Sequence, residues 1–171
     1  MVEIVPNWHP VFVHFPIALV LVSVGLHLVA PWLPARWREH CLVVAQWNLW
    51  LAAAAVVVTV ATGWQAFNSV DHDEAGHVAM LKHRRWALIT SAVVLVLAAW
   101  AAWPRVRQRA TGLLFLGLLV VAGALMLTTA WHGGELVYRH GLGVRSFPVA
   151  PATPAAAPAS APAHDHSSHP H

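Results

Sequence analysis

Four stretches of the chain run for a membrane's width without a charged side chain: Pro10 to Leu33, Leu42 to Trp64, Trp86 to Trp103 and Gly112 to Trp131. A helix needs about 20 mostly apolar residues to cross a hydrocarbon core of roughly 30 Å. The third stretch, at 18 residues, is the shortest, and it lengthens outward if Arg84 and Arg85 snorkel. In lipid every backbone N–H and C=O needs a partner within the segment, so each stretch reads as a helix. The connections around Pro34 to Cys41 and Pro104 to Thr111 are short, which predicts antiparallel neighbours. The pattern therefore predicts an all-α integral membrane protein, a four-helix up-down-up-down bundle over residues 1–147.

Small residues at Ala52 to Ala55, Gly63, Gly117 and Ala122 to Ala124 suit close helix contact in lipid. Between the second and third spans, Asp71 or Asp73 is placed to cap a helix that enters the third span two or three turns early. Pro16 either frees the carbonyl of Phe12 and kinks the first helix or begins a helix late. Beyond Phe147 the chain turns Pro/Ala-rich, and residues 148–171 read as a disordered tail ending in a His cluster.

Composition agrees with lipid as the solvent: 58% of residues are hydrophobic and 10% charged, against about 25% charged in soluble domains. The net charge of +3 comes from ten scattered Lys and Arg, which form no basic stripe for nucleic acid. Cys41 is the single cysteine, which excludes an internal disulfide, a Cys-rich metal site and a CxxCH haem attachment. Met1-Val-Glu-Ile has no positive n-region, so the first apolar stretch reads as a retained helix and not as a cleaved signal.

Arg36, Arg38, Arg105, Arg107 and Arg109 crowd the two short connections. Lys82, Arg84, Arg85, Arg139 and Arg145 are spread over a longer length on the other side. By the positive-inside bias the termini and the middle connection face outward from a bacterial cytoplasmic membrane. Trp8, Trp64, Trp86 and Trp131 then fall at the outer interface, and Trp32, Trp37, Trp100 and Trp103 at the inner one.

Of the nine histidines before the tail, seven lie toward the outer side: His9, His14, His72, His77, His83, His132 and His140. One chemistry that uses this asymmetry is bis-imidazole ligation of haem b by residues of different helices at one depth. His14 and His83 are the candidate axial pair, with His132 or His140 as substitutes, and Arg84, Arg85 and Arg139 are candidate propionate partners. Gly133 and Gly134 would admit a flat ligand. For His14 and His83 a merely hydrogen-bonded imidazole fits the pattern equally well. For His9, His72 and His77 a solvated interfacial ring is the stronger reading. His27 reads as a packing residue, since it stands about 140° around the helix from His14 and has no inner partner. His164, His166, His169 and His171 could take copper or zinc. No nucleophile–base pair, phosphate loop or broken span argues for a hydrolase or a secondary transporter.

Asn7-Trp8-His9-Pro10, His14-Phe15-Pro16, Thr62-Gly63, His83 and Gly133-Gly134-Glu135-Leu136-Val137-Tyr138, with His140-Gly141 and Gly143-Val144, together resemble the domain-of-unknown-function 2231 family of bacterial membrane proteins. The resemblance runs from Asn7 to Val144. It implies a four-helix membrane fold, and relatives joined to Rieske-type or cytochrome c-type modules imply a redox setting. This chain carries no such module, so the partner would be a separate protein. A membrane-anchored b-type cytochrome-like electron-transfer subunit is the leading expectation. A copper- or zinc-handling protein and an assembly factor for a respiratory complex are the alternatives.

Overall fold

A computed structural model of the chain describes residues 7–70, 72–103 and 112–143. A short α1 (His9–Phe12) leads into α2 (His14–Val29), which closes in a 3-10 turn (Ala30–Trp32). Then follow α3 (Ala35–Ser69), α4 (Glu74–Ala102) and α5 (Leu113–His140). These make four helical rods, each long and apolar enough to cross a membrane. α2 packs on α3 and α5, and α4 packs on the same two, so chain neighbours are spatial neighbours and the ring closes.

The helices run further than the charge-free stretches. α3 begins at Ala35 and ends at Ser69, and α5 continues past Trp131 to His140. A charged residue at a helix end costs little once it reaches water, so lack of charge marks the lipid-immersed part and not the helix. Asp73 caps α4, its side chain accepting from the Gly76 N–H at 2.7 Å. Gly141 ends α5 at φ 61°, and the Gly141 and Leu142 N–H groups return to the Val137 and Leu136 carbonyls. That closure needs a left-handed residue, which glycine supplies without a Cβ penalty. At the opposite end Arg38 donates to the carbonyls of Ala30, Pro31 and Leu33, taking up the orphan acceptors where α2 finishes.

Pro16 interrupts the first rod at Val13 and frees the Phe12 carbonyl. The Thr59 hydroxyl of α3 donates to that carbonyl at 3.3 Å, so the break is repaired across the helix interface.

The centre is built from Val20, Leu49, Ala52, Val94, Ala101, Leu119 and Ala122, with Phe115 the largest buried side chain. In lipid, close packing holds such a bundle more than water exclusion does. Gly123 shows it: a Cβ there would stand 3.2 Å from Val24 Cγ2. Gly117, expected at an interface, instead faces open space, and Ala54 and Ala124 are exposed. Trp8, Trp32, Trp37, Trp64, Trp103 and Trp131 point outward as belt residues do. Trp86 and Trp100 turn partly inward.

Candidate cofactor site

The buried positions repeat at three and four residues on every rod. On the first they are Pro16, Val20, Ser23 and His27, and one heptad before Pro16 stands His9. On α3 the run Ala45, Leu49, Ala52, Val56 extends to Thr59 and Gly63. On α4 the run Ala101, Leu97, Val94, Thr90 extends back through His83 to Met80 and Gly76. On α5 Phe115, Leu119, Ala122, Met126 extends to Thr129 and Gly133. Where the four seams approach the termini they deliver two imidazoles, two glycines and two threonines to one place.

His9 and His83 meet there edge to face, ring centroids 6.4 Å apart and planes at 73°. The His9 ring lies on Gly63, where a Cβ would come within 2.9 Å of Cε1. The His83 ring lies on Gly133, with the corresponding distance 3.2 Å. Each ring thus packs directly on a glycine of the adjoining helix: a Cβ at position 63 would require the His9 ring to shift, and one at position 133 would press His83 by a few tenths of an ångström.

His9 is oriented at both ends. Its backbone N–H donates to Asn7 Oδ1 at 3.0 Å, and its Nδ1 donates to the Thr59 carbonyl at 3.1 Å. The second bond leaves the lone pair on Nε2, the tautomer that metal-bound histidines use when a carbonyl orients them. In His83 the buried Nδ1 has no hydrogen bond. The Thr129 backbone is near but outside bonding geometry. A buried polar atom without a partner costs about 1–3 kcal/mol, so a ring held this way asks for a further explanation.

His132 stands beside this pair. It is stacked on Trp86 at 6.1 Å, and its Nδ1 donates to Glu135 Oε2 at 3.3 Å. Glu135 also accepts from Arg139 at 2.9 Å. His140, the last residue of α5, lies about 12 Å further along that helix.

The expected pairing of His14 with His83 is not what the fold makes. His14 is exposed, and its Nδ1 donates to the Pro10 carbonyl of the preceding α1 at 3.0 Å. Five residues separate His9 from His14, about 140° around the axis, so only one of them shares the seam with Val20 and His27. His9, expected to be solvated, occupies the place instead. The three- and four-residue spacing back from His27 was the signal that marked it.

Of the expected propionate partners, Arg139 is engaged by Glu135, and Arg84 stacks over Trp64 and Phe67 at 4.8 and 4.9 Å. His72 and His77 do stay at the surface, joined by a 2.9 Å hydrogen bond between Nε2 and Nδ1. Among the described residues no three His, Cys, Asp or Glu side chains are grouped to hold a metal ion. The tail histidines His164, His166, His169 and His171, with the copper or zinc expected there, lie outside the described residues.

No curated protein and no solved structure matches the chain. The family model described as "Predicted membrane protein (DUF2231)" matches residues 6–146, which take in all four rods, the His9–His83 pair and both glycines. The chain belongs to the DUF2231 family of membrane proteins.

Proposed function

We propose that the chain is a membrane-embedded electron-transfer protein of b-type cytochrome character, with His9 and His83 as the axial pair for one haem. The observation that carries this reading is the meeting of two imidazoles from different helices inside the bundle, ring centroids 6.4 Å apart. His9 and His83 are the residues that would hold the haem iron.

The donor count points the same way. A free zinc or copper ion asks the protein for three or four ligands. Haem brings four nitrogens and asks for two, the number found here. The Thr59 carbonyl orients His9 through its Nδ1 and leaves Nε2 for a ligand. Arg84, next to His83 in the chain and held over Trp64 and Phe67, would supply the positive charge for a propionate. When bound, haem b supplies a one-electron couple. The chain's own part is to orient the axial rings and exclude water.

The arginine-dense connections argue that this end faces outward from a bacterial cytoplasmic membrane. A separate Rieske-type or cytochrome c-type protein is the fitting redox partner at that surface. The test is the absorption spectrum of protein purified after expression with ample haem. A Soret band with low-spin α and β bands is expected. It should be lost in His9→Ala and His83→Ala and kept in His14→Ala, with all three eluting as the wild type does. No haem in the wild type, or loss in His14→Ala alone, would overturn the assignment.

A further inference from the structure

A hydroxyl within a membrane span can satisfy its one donor on its own helix. Ser91 donates to the Ala87 carbonyl at 2.6 Å, and Thr128 to the Ala124 carbonyl at 2.9 Å. A carboxamide has more to place. Asn48 Nδ2 donates to the Val44 carbonyl of its own helix at 2.9 Å, which leaves a second N–H and the Oδ1 acceptor. Neither has a partner among the described residues.

These atoms lie on the outside of the bundle. α3 turns Ala45, Leu49, Ala52 and Val56 inward, and one residue earlier on each turn stand Val44, Asn48, Leu51 and Ala55, followed by Val58. Val44, Leu51 and Val58 are exposed, and Asn48 and Ala55 partly so. Asn48 comes six residues after Leu42, where the charge-free stretch begins, and so lies about 9 Å inside it along the helix. At that depth no water completes its bonds.

An amide is its own complement, since its N–H donates while its oxygen accepts. Two copies of the chain inserted the same way hold Asn48 at one depth. A two-fold axis along the membrane normal then sets the two amides face to face, and each can donate to the other's Oδ1. We infer that the chain forms a parallel homodimer through the Val44–Val58 face of α3, with the Asn48 pair within the contact. The spacing of three and four residues from Val44 to Val58 is that of a helix pair crossing at about 20°, and a single Asn in such a seam fixes its register. A lipid chain on the same face would leave both polar groups open. The His9–His83 pair lies inside the bundle, so neither the contact nor its test depends on haem.

Sedimentation equilibrium of the full-length protein in density-matched detergent should show a monomer–dimer equilibrium. Asn48→Leu should raise its dissociation constant about tenfold. The face is read separately, in native membranes. In a Cys41→Ser background, Leu51→Cys should cross-link into dimers on mild oxidation, whereas Val121→Cys, exposed on α5 across the ring, should not. Should Asn48→Leu fail to fold, the cross-linking pair alone carries the result. A monomeric wild type would give the face to lipid or to a different protein and overturn the proposal. So would a dimer that Asn48→Leu leaves as tight as before, or one cross-linked through Val121 and not through Leu51.

Discussion

Thr59 works from two of its atoms: the carbonyl orients His9 and the hydroxyl repairs the break at Phe12. Thr59→Val removes only the second. It should cost about 1 kcal/mol, the net worth of one hydrogen bond, and lower the midpoint of thermal unfolding by about 2–4 °C, while His9 keeps its place. Gly133→Val is a harsher change, since its Cβ alone would already stand 3.2 Å from the His83 ring. Overpacking of this kind costs about 1–3 kcal/mol. Both appear in thermal unfolding in detergent, and an unchanged midpoint for Gly133→Val would mean that His83 does not lie on that glycine.

Helix ends, more than helix middles, decide where the polar groups sit. α4 starts at Glu74 because Asp73 caps it, which carries His83 to the third turn of a continuous helix. Asp73→Ala should cost about 1 kcal/mol and raise amide exchange over the first turn of α4 alone. Gly141→Ala tests the opposite terminus. A Cβ at φ 61° is strained by roughly 1 kcal/mol, so exchange should rise at the substituted position and at Leu142 while the middle of α5 is unchanged. The early start of α4 was legible, since Asp73 was one of the two residues placed to cap it. The reach of α5 to Gly141 was not, because the charge-free stretch stops at Trp131.

At the scale of the molecule, four seams close on one another, and their two ends differ in chemistry. One end gathers His9, His83 and His132, while the other is lined by aromatic rings around His27. Which end faces outward is open to direct measurement. In a Cys41→Ser background, Asn68→Cys should react with a membrane-impermeant maleimide on intact spheroplasts, and His40→Cys should react only after lysis. Both positions are exposed in the fold. The reverse labelling would invert the proposed orientation.

The all-helical membrane bundle was legible in the sequence because lipid leaves a charge-free run of this length only one way to satisfy its backbone. The gathering of histidines toward one end was legible too, since depth follows from position along a rod of known rise. Which imidazoles meet was decided by the fold. Depth says nothing about rotation around the helix axis, and His9 and His14 differ chiefly in that. Only when α2, α3, α4 and α5 close into a ring does the seam acquire a direction, turning His9 and His83 inward onto Gly63 and Gly133 and leaving His14 outside.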